Sequence, residues 1–394
     1  MNNTKYRGLG SVLLAGLLAA CATPTVGDVT EAVIADNALL IVIDDPRGEL
    51  RRRGVGPGYA APQAYSDDPL LRRRAAEIAN DYGLSIIEQW PLRNIGVHCF
   101  VVERPNPATI TAINVDKRVR WTQSFNEFTL QSSDQARTEV SVDPNCVVCR
   151  FASEFNNGGR DVVIAVIDTA VDVGHPDLYR SSLTVKNFAG QRGNPKEEKH
   201  GTAVVGLIAA MASDEKGVNG VAPDANVHLL RACWQERDGA GRCNTLTLAL
   251  ALDAAIDLRP DILNLSLSGR RDRVLDELIQ VLLNNGTLVV AAYDEQRRAD
   301  ARFPSHQEGV IYAYGIERGV DDAMIDNVIF APKHALSLSP MAGYALVSGH
   351  SIATPQLSAM AARLMALDKD ASRQRIVGEL SGWLDRYYAP PDAP

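Results

Sequence analysis

Val162-Val163-Ile164-Ala165-Val166-Ile167-Asp168 is a run of six apolar, mostly β-branched residues that ends on a carboxylate. With no polar alternation, it reads as a strand buried on both faces. Outward from it, strands and helices alternate. Thr202 to Met211 is a helix of small and β-branched residues, Asn226 to Ala232 a strand, Leu246 to Leu258 a helix and Asp261 to Ser266 a strand. Arg273 to Asn284 is a helix, and Thr287 to Ala292 and Gly309 to Ala313 are strands. Ser351 to Leu367 is a long helix with Pro355 near its start, and Ser372 to Tyr388 a final amphipathic one. The alternation predicts an α/β fold: a doubly wound, mostly parallel sheet covered by helices on both faces.

The preceding stretch has a different order. Leu39 to Ile43 is a buried strand. Leu70 to Tyr82 has helical spacing, with Leu71, Ala75, Ile78 and Ala79 on one face and Gly83 as its stop. Leu84 to Trp90 and Gly96 to Val102 are strands, Pro107 to Val115 is a short helix and Arg118 to Trp121 a last strand. The order βαββαβ is that of a small ferredoxin-like α+β domain, here over 39–121. Thr122 to Asn156 is polar and mostly aperiodic. Residues 122–155 therefore read as a linker, 156–371 as the large domain and 372–394 as a C-terminal helix and tail.

The N-terminus reads as a targeting segment. Lys5 and Arg7 precede an apolar run from Leu9 to Ala20, too short to cross a bilayer but suited to a signal-peptide core over 1–20. It ends Leu18-Ala19-Ala20-Cys21, which resembles a bacterial lipoprotein signal with Cys21 as the lipidated first residue. Residues 21–38 would then be a tether, and the chain an exported protein held to a membrane through Cys21. The alternative is an ordinary cleaved signal. The 394 residues, 46% of them hydrophobic, suffice for one large or two modest domains with a sizeable core. A net charge of −8 points to no nucleic-acid partner. The basic runs at 51–53 and 72–74 have acids nearby and read as solvated faces.

Export permits disulfides. Cys233 and Cys243 flank a Gly- and charge-rich loop and could close it. Cys146-Val-Val-Cys149 has the spacing of a redox motif or half a zinc site, with no second His/Cys pair nearby, so it reads as a local disulfide or two thiols. Cys99 lies in an apolar run and reads as a buried thiol.

The chemistry gathers at element ends. Asp168 closes a buried strand, on the side where open α/β sheets bind ligands. A carboxylate there is costly unless it is paired. His200-Gly201-Thr202-Ala203 opens a helix of tiny residues, and Gly349-His350-Ser351 opens another. That places the Ser351 N–H at a helix N-terminus, aimed at developing negative charge. A hydroxyl is a poor nucleophile until a His takes its proton, and that His needs a carboxylate to orient it.

These motifs resemble those of the subtilisin-type serine proteases, the subtilases or peptidase S8 family, whose chain order is Asp, His, Ser. Val166-Ile-Asp-Thr-Ala-Val-Asp172 with His175-Pro-Asp-Leu178, His200-Gly-Thr202 and Gly349-His-Ser-Ile-Ala-Thr-Pro355 carry the likeness, over about 155–370. It implies Asp168 as orienting acid, His200 as general acid/base and Ser351 as nucleophile, acting on a polypeptide substrate through an acyl-enzyme. It implies that Ser266, Leu267, Ser268 and Gly269 line the substrate. It also implies that the 39–121 domain is an inhibitory propeptide, the chain's own partner. Calcium is a common family ligand, but no dense Asp/Asn loop offers a site for it, and no cofactor is assigned.

The likeness departs most consequentially at the oxyanion hole. Where the family supplies an oxyanion-hole Asn, this chain has Asp294 in Val289-Val-Ala-Ala-Tyr293-Asp294-Glu295. Losing such a donor costs ~2.7–4 kcal/mol, a value established in a subtilisin. Three readings follow: an enzyme with a neutral, donating Asp294 and an acid optimum, an enzyme slowed by its oxyanion hole, or a catalytically impaired binding or maturation factor. Tyr293 and Glu295 would alter the primary specificity pocket, and His350 stands where the family has Thr.

Overall fold

A computed structural model describes residues 37–46, 68–130, 133–136, 146–214, 217–236, 239–294, 302–304, 307–316 and 327–388. Cys21, the signal 1–20, most of the tether and Glu295 lie outside the described residues.

The first unit is a four-stranded antiparallel sheet of β1 (Ala38–Asp44), β2 (Ile86–Leu92), β3 (Val97–Glu103) and β4 (Trp121–Ser124), in the order β2-β3-β1-β4. Two helices, α1 (Pro69–Asp81) and α2 (Pro107–Asn114), cover one face. Asp68 caps α1 by accepting the Leu70 N–H at 2.9 Å, and Asn106 caps α2 by accepting the Thr109 N–H at 3.0 Å. Each cap is followed by a Pro whose missing donor costs the first turn nothing. Strand β1 alternates its apolar side chains between two cores. Leu39, Ile41 and Ile43 face the helices, while Leu40 and Val42 join the core of the large unit. That double burial explains why its sequence is an unbroken apolar run. Cys99 in β3 is fully buried, and burial pushes its thiol up.

The large unit is a seven-stranded parallel sheet. It contains β7 (Val163–Asp168), β8 (Ser182–Asn187), β9 (Asn226–Arg231), β12 (Ile262–Leu265), β14 (Leu288–Ala292), β16 (Ile311–Ile316) and β17 (Val328–Pro332), in the order β17-β16-β14-β12-β7-β9-β8. On one face lie α3 (Val147–Glu154), α4 (His200–Ala209), α7 (His350–Leu367) and α8 (Arg373–Tyr388), packed on Ile164 and Val166. On the other lie α5 (Thr245–Leu258) and α6 (Arg273–Asn284), packed on Ala165 and Ile167. The alternate residues of one strand thus feed two cores, as the doubly wound expectation requires.

Two smaller sheets complete the molecule. One has the order β10 (Trp234–Gln235), β11 (Gly241–Asn244), β5 (Glu127–Leu130), β13 (Ser268–Arg270) and β15 (Arg302–Phe303). The other has the order β18 (His334–Ser339), β19 (Gly343–Ser348) and β6 (Ser133–Ala136).

The segment read as a linker therefore carries secondary structure: most of β4, all of β5 and β6, and α3. Its strands are held by partners remote in sequence, so a local polar composition does not report them. The last strand of the small sheet also begins later than Arg118. Asp116 accepts the Arg118 N–H at 2.9 Å and its guanidinium at 2.7 Å, which holds 116–118 in a turn. Cys233 bonds to Cys243, and Cys146 to Cys149. Among the described residues no helix is long and apolar enough to cross a membrane.

Candidate active site

Strand β7 delivers Asp168 to the carboxyl edge of the parallel sheet, fully buried. Its Oδ1 accepts the Thr169 N–H at 2.7 Å, and its backbone carbonyl accepts the N–H groups of Ala232 and Cys233 at 3.1 Å. His200 is the first residue of α4, and its Nδ1 stands 2.7 Å from Asp168 Oδ1. A carboxylate can only accept, so the proton in that contact sits on Nδ1 and Nε2 carries the ring's lone pair.

Several contacts fix this pair. Gly201 is required because a Cβ there would overlap the carbonyls of Thr169 and Ala170. The Gly201 N–H donates to Thr169 Oγ1 at 2.8 Å, and the Asp172 N–H to Thr202 Oγ1 at 2.9 Å. Beneath them lies a buried ion pair between Glu198 and Arg231, at 2.5 Å. Glu198 Oε2 also accepts the Ala170 N–H at 2.6 Å, and Arg231 lies opposite Asp168 in the sheet register. The pair thus bridges the turn after the acid to the residues that open the His200 helix. Sequence reading missed both residues. Nothing local separates Glu198 from Glu197, although Arg231 ends an apolar strand, the same signal that exposed Asp168.

Ser351 is the second residue of α7, with 2% of its surface exposed. Gly349 before it has φ of 132°, which a side-chain-bearing residue rarely adopts. Helices α4 and α7 share a small core in which Ala203 and Leu207 meet Ile352. The helix starts that carry His200 and Ser351 are thereby brought to the same edge. The His350 ring packs 4.5 Å from Tyr314 and 6.0 Å from Tyr293, and its Nδ1 accepts the Gly315 N–H at 2.8 Å.

Asp294 is 5% exposed, and its Oδ2 accepts from the Arg302 Nε. A carboxylate engaged by a guanidinium accepts hydrogen bonds and offers none. Sequence reading identified the position but not its partner.

The substrate-lining candidates are engaged by the chain itself. Ser268 and Gly269 pair antiparallel with Thr129 and Phe128 of β5, while Gly241 and Cys243 of β11 pair with Leu130 and Phe128 from the other side. Ser266 Oγ and Leu267 are buried behind, the former accepting the Asn264 Nδ2–H at 3.1 Å. Phe128 is 1% exposed, lies directly over Gly269 and meets the Phe303 ring edge-on at 5.6 Å. Leu130 lies over Gly241. Beyond β5 the chain reappears as β6, paired antiparallel with β19, where Ser133 faces Ser348. Strand β19 ends at Ser348, and Gly349 then caps the helix that carries Ser351.

No group of three or more His, Cys, Asp or Glu side chains that could hold a metal occurs among the described residues. Asp177 gives its oxygens to the N–H groups of Ser213 at 2.8 Å and Val218 at 3.0 Å and to the Tyr344 hydroxyl at 3.1 Å.

The model of the subtilase family matches residues 159–380, more than half of the chain, and the chain belongs to that family. It is 31% identical over 238 residues to the intracellular serine protease of Paenibacillus polymyxa, covering 56% of this chain and 71% of that protein. It is 28% identical over 235 residues to the major intracellular serine protease of Bacillus subtilis (strain 168), covering 55% and 72%. It is also 30% identical over 223 residues to the thermophilic serine proteinase of Bacillus sp. (strain AK1), covering 54% of each. The crystal structure of fervidolysin from Fervidobacterium pennivorans superposes with a TM-score of 0.62 at 16% identity, over 87% of this chain and 56% of that one. That superposition establishes the subtilisin-like fold. The chain spans about half the length of the last two proteins.

Proposed function

We propose that the chain is a serine endopeptidase that hydrolyses peptide bonds through an acyl-enzyme, with Asp168, His200 and Ser351 as its triad. The observation that carries this reading is the 2.7 Å contact from His200 Nδ1 to the buried Asp168 carboxylate. In this scheme His200 Nε2 takes the Ser351 hydroxyl proton as Oγ attacks the substrate carbonyl, then returns it to the leaving amine. Water enters by the same base and releases the acid. Asp168 holds the ring and stabilises the imidazolium. The Ser351 N–H at the start of α7 faces the oxyanion.

In its uncut form the enzyme would be blocked by its own N-terminal part. Strand β5 fills the groove between β11 and β13, which supports reading 39–121 as an inhibitory propeptide. The cut that releases it would fall between Leu130 and Ser133, since β5 pairs with β11 and β13 while β6 pairs with β19, the strand that precedes the Ser351 helix. An exported chain lipidated on Cys21 would keep only the propeptide at the membrane after that cut.

A fluorophosphonate probe tests the triad. Wild type freed of residues 37–130 should label on Ser351, and Ser351→Ala should not. No labelling at either acid or mildly alkaline pH would overturn the reading. A second reading, a slow or impaired enzyme that acts as a binding or maturation factor, draws on the Asp294–Arg302 pair, which leaves the oxyanion without the family's amide donor.

A further inference from the structure

Proteolysis makes no use of Cys146-Val147-Val148-Cys149. The two cysteines form a disulfide with 5.2 Å between Cα atoms and three residues of sequence separation. Cys146 is the N-cap of α3, and its Sγ accepts the Cys149 backbone N–H at 3.2 Å. Cys149 is exposed and Cys146 is half-buried. The second bridge differs in every respect. Cys233 and Cys243 are fully buried, ten residues apart, and tie the end of β9 to β11.

A disulfide stabilises a fold by restricting the unfolded chain, and the effect grows with the loop it closes. The loop between Cys146 and Cys149 is about as short as such loops get. Helix α3 is already anchored by buried Val147 and Phe151, the latter packed edge-on against Trp383 at 5.0 Å. A structural staple at this place therefore adds little. A helix N-terminus does lower the pKa of a cysteine that caps it, and a thiol of lower pKa is the better leaving group in exchange.

We propose that Cys146–Cys149 is a thiol–disulfide exchange site whose substrates are thiols, attacked at Cys149 and opened by departure of the Cys146 thiolate. An incoming thiolate bonds to the exposed Cys149 Sγ. The Cys146–Cys149 bond breaks, and its electron pair goes to Cys146 Sγ, which the Cys149 N–H and the start of α3 receive. A second thiolate attacks the incoming sulfur and releases it as a disulfide, leaving Cys149 as a thiolate. In sum, the bridge and two thiols give two cysteines and one external disulfide. The bridge gains the two electrons that the thiols lose, and the reverse steps restore it. This site does not depend on the proteolytic reading.

The test uses the full chain with Ser351→Ala, so that no self-cleavage intervenes. The protein is equilibrated across graded ratios of reduced and oxidised glutathione, quenched in acid, alkylated and read cysteine by cysteine by mass spectrometry. A parallel series uses a thioredoxin-class dithiol protein. The Cys146–Cys149 bridge should reach half-opening at a reducing strength at least tenfold weaker than Cys233–Cys243 needs, about 30 mV for two electrons. The trapped mixed disulfide should sit on Cys149. Exchange with both reagents assigns thiols at large as substrates, and exchange with the dithiol protein alone assigns protein thiols. A bridge that opens no more readily than Cys233–Cys243 with either reagent, or glutathione found on Cys146, overturns the proposal.

Discussion

Two buried carboxylates near the candidate site, Asp168 and Asp294, each meet a cationic or protonatable side chain, and the partners differ in what they can do. Asp168 meets an imidazole, a ring that can both accept and donate a proton. Asp294 meets a guanidinium, which stays charged and cannot relay one. On the proposed mechanism, Asn at position 294 would return an amide donor to the oxyanion. We expect Asp294→Asn to raise kcat by ~10–10²-fold with little change in KM, in steady-state assays on a peptide substrate. A fall in kcat would mean instead that the Arg302 pair is needed to shape the loop. Glu198 and Arg231 act one layer down. Arg231→Met leaves the Glu198 charge buried and should lower stability by about 3–5 kcal/mol in urea titration, with the Glu198→Gln/Arg231→Met double variant recovering most of it.

The elements around the cleft were the least legible in the sequence. Strand β5 is only four residues long, with Phe128 and Leu130 buried and Thr129 outward, too short for its alternation to stand out in a polar stretch. Its existence depends on backbone donors and acceptors in β11 and β13, more than a hundred residues away. The glycines beneath its side chains are part of the fit. Gly269→Ala places a methyl group into the Phe128 ring, so β5 must lift. Hydrogen exchange at the β5 amides should quicken in that variant while β1 and β3 keep their protection. Equal acceleration in all three would argue for a global loss. Strand β11 is held from the other side by the Cys233–Cys243 bridge. Changing both cysteines to Ser should cost about 3 kcal/mol, seen as a lower thermal midpoint.

At the scale of the molecule, the two units meet through polar groups whose titration couples them. Asp253 of α5 accepts the Asn94 N–H at 3.1 Å, beneath the β2–β3 turn, and burial lifts its carboxyl to about 6, with nearby Asp257 pushing the same way and hydrogen bonds from Asn94 and Arg93 opposing. Buried Asp272, which accepts from Asn126 Nδ2 at 3.0 Å and Thr245 Oγ1 at 2.7 Å, is raised as well, again by burial. The unfolded chain holds its carboxyls near the ordinary ~3.9. Between that value and about 6 the folded state binds more protons, so the Asp253 contribution is lost as pH rises through the window. Asp253→Asn should therefore gain on wild type by up to ~3 kcal/mol between pH 4 and pH 7 in chemical unfolding. A constant difference across that range would remove Asp253 from the coupling. The sequence by itself determined the parallel sheet, the helices on its faces, and the positions of Asp168, His200 and Ser351 at element ends. Local periodicity and the chemistry of strand and helix termini are properties of contiguous residues. Tertiary structure alone decided that Glu198 meets Arg231, that Arg302 answers Asp294, and that a polar connector becomes a strand between β11 and β13. Each of those joins groups distant in the chain, where only the closing of the fold selects the partner.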